Sequence, residues 1–286
     1  MGDPTEVPVA FVSPTDGWGV VGATDDLLVG LGGEAAEDAD VFGQTFDLET
    51  GALADIPAPP FDDERPVQID TAVFGTTKVI VDAYVYGHGV DADTVPVDSG
   101  YTPPTDLLSY RLDPVERTWA RLTLPAGFED VPQTSLWHID PTGADSAAGY
   151  FRPSYEGAAT LAVIDGDDDG WRTVAGDLPN GFGAEFCATD TTWWLLESEV
   201  TTASLLAVAL ADGRTRDVEI PPAVAAPMIG TRIACSAERV VLAAIGGRDS
   251  PPGLFVSRED GTWDVPPDPY DTGQGAFIED VTSGGA

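Results

Sequence analysis

The chain has 286 residues, 43% of them hydrophobic, with 49 acids against 13 bases and a net charge of −36. That length and apolar share suit one large or two small folded domains and exclude a disordered chain. A field this negative repels phosphate backbones and anionic lipid, which excludes nucleic acid and acidic membrane surfaces as natural partners.

A heavily solvated surface accounts for such a charge; cation binding or docking to a basic partner is its functional counterpart. Gly 32 and Pro 24 point to a protein full of turns. No apolar run reaches the about 18 residues of a membrane span, so no membrane insertion is expected. The opening MGDPTEVPVAFVSP lacks the basic and apolar regions of a signal peptide. The secreted or cell-surface location argued below therefore expects a leader that is absent from this chain.

Along the chain the apolar period is two, not 3.6. GVVGATDDLLVGLGG, TTKVIVDAYVYG, TTWWLLESE, LLAVALADG and ERVVLAAIGG are short β-branched or aromatic runs between turn residues. Acidic turns recur, each followed by a proline. Asp47 to Gly51 leads to Pro57, Asp113 to Trp119 leads to Pro125, and Asp165 to Trp171 leads to Pro179. Asp212-Gly213 leads to Pro221, and Glu259 to Trp263 leads to Pro266. The prolines are spaced by 68, 54, 42 and 45 residues. A hairpin precedes each turn; the third copy, LWHIDPTGADSAAGYF, is the most degraded.

Two hairpins in about 45 residues is the length of a four-stranded propeller blade. With strands a to d in each, repeats run over about 18–57, 67–125, 134–179, 184–221 and 230–266. They resemble kelch-type repeats, in which an apolar b strand ends in Gly-Gly and a Trp follows the c–d turn. Gly32-Gly33 and Gly246-Gly247 match the first feature, and Trp119, Trp171 and Trp263 the second. The resemblance implies an all-β propeller of four-stranded antiparallel blades in a single domain, 1–286. Five repeats are recognisable, and a partial sixth would come from 6–12 and 275–281 closing the ring. Ser257 to Trp263 is similar to the Asp-box turn of sialidase-type propellers, itself a structural turn. Asp supplies such turns with backbone hydrogen bonds and Gly with positive φ, and a Trp after the turn fills the gap to the next blade.

Candidate chemistry is sparse. Asp165, Asp167 and Asp169, followed by Gly170, match the start of an oxygen-ligand Ca²⁺ loop, but position 12 is Gly176. An acidic c–d turn is the plainer reading, and Ca²⁺ is the one cofactor the sequence suggests. His88 and His138 are the only histidines. No Gly-x-Ser-x-Gly elbow, phosphate loop or dinucleotide fingerprint is present. Cys187 and Cys235 end the a strands of neighbouring repeats. A disulfide, which would imply an oxidising compartment, and two buried free thiols both fit that placement.

In a propeller the short a–b and c–d turns share one face, and the long b–c and d–a loops the other. On or near the long-loop face fall Tyr84, Tyr86, His88, Tyr101, Arg152, Tyr155, Arg248 and Tyr270. Aromatic and Arg residues there suit contacts to a protein or a glycan, though aromatics also flank strands in any β protein. The expectation is thus a non-catalytic extracellular or cell-surface binding module. Its alternative is a carbohydrate-active, glycosidase-like propeller enzyme working through paired carboxylates. A structural component of an acidic surface assembly is a third reading.

Overall fold

A computed structural model describes residues 18–32, 34–35, 41–60, 67–86, 104–128, 135–152, 157–180, 184–198, 203–221, 230–236, 238–245, 253–258 and 262–264. All regular structure among them is β. The strands form five antiparallel sheets, and the chain divides into two compact units. The first unit holds Met1–Gly157 with Ala162–Thr173; the second holds Ala158–Leu161 with Val174–Ala286.

Sheet one is β1 (Trp18–Ala23), β2 (Leu27–Gly32), β4 (Gly43–Asp47) and β5 (Leu53–Ile56). Sheet two is β6 (Val67–Phe74), β7 (Val79–Tyr86), β8 (Pro104–Asp113) and β9 (Thr118–Leu122). A two-residue strand from the first repeat, β3 (Glu34–Ala35), adds to the β6 edge of sheet two by pairing Glu34 with Gln68. Sheet three is β10 (Ser135–Pro141), β11 (Ala147–Arg152), β12 (Ala159–Ile164) and β13 (Arg172–Leu178). Sheet four is β14 (Glu185–Ala188), β15 (Thr192–Ser198), β16 (Ala203–Ala209) and β17 (Thr215–Val218). Sheet five is β18 (Gly230–Cys235), β19 (Val240–Ile245), β20 (Gly253–Ser257) and β21 (Trp263–Asp264). Of the Gly-Gly feature only Gly32 is described, because Gly33, Gly246 and Gly247 lie outside the described residues.

In the first unit, sheet two packs on both faces. Val79 and Val81 join Val29, Leu31, Phe42 and Ile56 of sheet one in one cluster. Ile80, between them, joins Phe151, Ala147, Ile164 and Trp171 in another. Successive strand residues point to opposite faces, so a strand buried on both reads as a continuous apolar run. That is why VIVDAYVY shows no polar alternation. In the second unit, Trp194, Leu196 and Leu205 pack against Ile233, Val240, Leu242 and Phe255.

The acidic turns are built as their composition demands. Asp47 Oδ1 accepts from the backbone N–H of Glu49 (3.0 Å) and Thr50 (2.7 Å). Asp113 Oδ1 accepts in the same way from Val115 (3.1 Å) and Glu116 (2.9 Å). These carboxylates replace backbone partners that a tight turn cannot supply. The first and second turns of a sheet meet at one end of it: Leu48 N–H donates to Asp26 O, and Leu210 N–H to Thr191 O, both at 2.9 Å.

Each Trp that follows a second turn is tied to the sheet before its own. Trp119 Nε1 donates to Pro57 O (2.9 Å), one residue past the end of β5. Trp263 Nε1 donates to Glu219 O (2.8 Å), one residue past the end of β17. In sheet three the tie is made by backbone. Thr123, one residue past β9, forms an isolated parallel bridge with Gly170. Thr123 N–H donates to Asp169 O (2.9 Å), and Trp171 N–H donates to Thr123 O (2.8 Å). A Cβ on Gly170 would stand 2.6 Å from Thr123 O, so only glycine lets the two chains approach. The Trp171 indole is freed by this arrangement and donates to Ser109 Oγ (2.9 Å) inside the core.

Replacing the indole by phenyl tests these ties. Trp119→Phe is expected to cost about 1 kcal/mol, the loss of one partly exposed hydrogen bond. Trp171→Phe is expected to cost more, about 2 kcal/mol, because Ser109 is buried and loses its donor. Denaturant melts of the two variants check the order; equal costs would show that packing alone, not the N–H, sets the tie.

Candidate functional site

The first strands of neighbouring sheets approach one another within each unit: β1 lies against β6, β6 against β10, and β14 against β18. In the first unit all three of these strands carry a bulge. Pairing skips Gly19 in β1, Asp70 in β6 and Trp137 in β10. In every case the skipped residue stands four positions before the last residue of its strand. The pairing of β14 and β18 in the second unit runs without such a skip. Bulges bend a strand, re-aim its side chains and concentrate next to active sites. A bulge repeated at one register position in three strands is a built feature of this edge.

Immediately after the β10 bulge stand His138 and Asp140. Two apart on a strand, they share a face, and His138 Nε2 lies 3.0 Å from Asp140 Oδ2. The two side chains are 36% and 21% exposed, so the pair is open to solvent without being loose on the surface. A carboxylate on one ring nitrogen fixes the ring's orientation and stabilises the imidazolium once it forms. This pair can accept and return a proton. No charged base stands in β1, β6 or β10.

The corresponding edge of the second unit is different. Arg232 Nη1 lies 2.5 Å from Glu185 Oε1, which joins β18 to β14 by charge. Cys187 and Cys235 are bonded, with an S–S distance of 2.05 Å and Cα atoms 5.5 Å apart. Both lie in the apolar cluster with Trp194 and Leu242. Such a bond is consistent with an extracellular protein. No helix among the described residues is long and apolar enough to cross a membrane.

The turns at the end of the bulged strands are laced together. Asp25 N–H donates to Thr76 O (3.0 Å), and Thr76 N–H donates to Ala144 O (2.6 Å). The Asp145 carboxylate accepts from Thr77 N–H (2.7 Å), Thr77 Oγ1 (2.8 Å), Lys78 N–H (3.0 Å) and Thr76 Oγ1 (3.3 Å). Desolvation pushes the Asp145 carboxyl upward, but these four donors outweigh it and hold its pKa below the usual value. Asp113 balances in the same direction. Desolvation raises its pKa, and the Glu116 N–H, the Lys78 ammonium and the Val115 N–H together lower it.

Of the residues expected on the long-loop face, Tyr84 and Tyr86 stand in β7 with side chains outside the described residues. His88, Tyr101, Tyr155, Arg248 and Tyr270 lie outside them altogether. Arg152 ends β11 and is 1% exposed. Asp165, Asp167 and Asp169 are exposed on the turn after β12. There Arg111 Nη1 donates to Gly166 O (2.8 Å) and Asp168 O (2.7 Å), so a guanidinium faces that turn's carbonyls. No group of three or more His, Cys, Asp or Glu is gathered as a metal site among the described residues. Sequence reasoning passed over His138–Asp140. Its available signal was His-x-Asp within a strand, which puts both side chains on one face.

No family model matches the chain, and no curated protein does. Solved structures do. Dipeptidyl peptidase 4 of Porphyromonas gingivalis matches with a TM-score of 0.53 at 8% identity, over 86% of this chain and 38% of that one. An oligogalacturonate lyase from Vibrio parahaemolyticus gives 0.51 at 12% identity, over 84% and 62%. Oligopeptidase B of Trypanosoma brucei gives 0.52 at 10% identity, over 86% and 33%. This chain therefore spans between a third and just under two thirds of those proteins. The likeness supports a β-propeller fold without singling out kelch repeats. It also corrects the expectation of a non-catalytic binding module: the three structures named here are of enzymes, a lyase and two peptidases, and nothing in the likeness favours a module without catalysis.

Two outcomes follow from the ties between strands. A carboxylate with a depressed pKa contributes stability that is present above its unfolded pKa, about 3.9, and lost as pH falls through the folded value. Asp145→Ala is therefore expected to cost about 2 kcal/mol at neutral pH, and the gap to wild type should close below about pH 4. Melts across that range check it. The disulfide closes a separation of 48 residues. Replacing both cysteines by Ala is expected to cost about 2–4 kcal/mol. Melts of the double variant beside the reduced wild type measure it.

Proposed function

We propose that this chain is the propeller of a carbohydrate-active enzyme whose chemistry lies at the bulged first strands of its first unit. The observation that carries the reading is the His138–Asp140 pair, 3.0 Å apart and directly after the β10 bulge. A binding surface has no need of a carboxylate-oriented imidazole; proton transfer does. Of the three enzymes named above, this chain covers more of the one named for an oligosaccharide substrate, 62% against 38% and 33%.

In this role His138 takes a proton, and Asp140 orients its ring. Water is the proton's source: as it loses the proton to His138 its oxygen bonds to the anomeric carbon, the glycosidic C–O bond breaks, and the proton returns from His138 to the departing sugar oxygen. The charge selects the substrate. A net charge of −36, with no Lys or Arg in β1, β6 or β10, repels a polyuronate. An uncharged oligosaccharide meets no such barrier.

Incubation of wild type with uncharged and acidic oligosaccharides and with peptides, read by mass spectrometry of the products, tests the reading. Cleavage of an uncharged sugar is expected. His138→Gln should slow it by about 100-fold or more with little change in KM, the usual size of one acid–base group. Cleavage of peptides instead, or no turnover of any sugar, would overturn it.

A further inference from the structure

We infer that Asp145 is a positioning residue for the His138–Asp140 pair, holding β10 in place against β6. The inference rests on the catalytic reading of that pair for its purpose, but not for its geometry.

β10 ends at Pro141, and the turn that follows brings Asp145 back toward β6. There one carboxylate accepts four hydrogen bonds from three consecutive residues, Thr76, Thr77 and Lys78, which lie 67 to 69 positions away in sequence. The backbones meet as well. Thr76 N–H donates to Ala144 O at 2.6 Å. A Cβ on Gly75 would fall 2.5 Å from Ala144 O and 2.9 Å from the Asp145 Cα, so glycine is required for the turns to close. Beyond the skip at Trp137, immediately before His138, β10 resumes its pairing with β11 through Leu136–Phe151 and Ser135–Arg152.

The short stretch His138–Pro141 is thus tied at its turn end by Asp145 and within its sheet by β11. Its in-sheet partners are Tyr150, Gly149, Ala148 and Ala147, so sheet pairing sets its direction within sheet three. Against the bulged β6 of sheet two, the Asp145 clasp and the backbone bond beside it act together with Ile139, which shares a buried cluster with Val73. Catalytic groups lose rate when displaced by fractions of an ångström, and supporting hydrogen bonds are what prevent this.

The test reads the imidazole and not turnover. In ¹H–¹⁵N NMR spectra of the full chain, the His138 ring signals are identified by their loss in His138→Gln. In Asp145→Ala these signals should shift, while those of His88 and of the second unit stay in place. Thr77→Ala, which removes one hydroxyl donor, and Gly75→Ala, which separates the turns but keeps the carboxylate, should shift them in the same way. Should Asp145→Ala fail to fold, Thr77→Ala alone decides. Asp145→Glu is expected to restore part of the shift. Folded variants whose His138 signals overlay those of wild type would overturn the inference, however much stability they lose. If the signals move but the wild type cleaves no sugar, the positioning stands and the enzymatic reading falls.

Discussion

The architecture depends on one recurrent bond, from the second turn of sheets two, three and five to the chain just past the last strand of the sheet before. Pro57, Thr123 and Glu219 each stand one residue past the end of a fourth strand, where the carbonyl has left its sheet and needs a donor. Trp119 and Trp263 supply it from an indole, and Trp171 from its own backbone. The same Trp residues carry apolar area into the space between sheets. One residue type therefore both fills the gap and fixes the stagger of neighbours.

With that stagger set, the first strands of adjacent sheets are brought close and must be joined again at their turns. The two units solve this differently. In the first, hydrogen bonds do it: Asp25 to Thr76, Thr76 to Ala144, and four donors to Asp145. In the second, a covalent bond between Cys187 and Cys235 joins β14 to β18, with Arg232 and Glu185 alongside. The hydrogen-bonded unit is the one whose first strands are bulged. Its turns are pinned by groups that respond to pH, and the other unit by one that responds to reductant.

Much of this fold was legible because its signals are local. The Asp47 and Asp113 turns, the prolines after them and the Trp that follows depend on residues a few positions apart. The five sheets fall where that punctuation repeats. The strand β3 was not legible: Glu34-Ala35 has no period of its own and pairs only because β6 offers an open edge. The Cys187–Cys235 pairing was left open by the sequence, since equivalent placement allows a bond without requiring one. The bulges were invisible for a different reason. A skipped residue leaves the sequence unchanged and shows only in the register between strands. His138 was read for what a lone histidine excludes, because its partner acts through strand geometry, not through a motif.

In the proposed enzyme, the bulged first strands, not the acidic second turns, meet the substrate. Hydrogen–deuterium exchange with and without the oligosaccharide that the chain turns over measures this directly. Slowed exchange is expected in 18–23, 67–74 and 135–141, with the second turns at 47–51, 113–117 and 165–170 unchanged. Protection confined to those turns, or to the second unit, would contradict it.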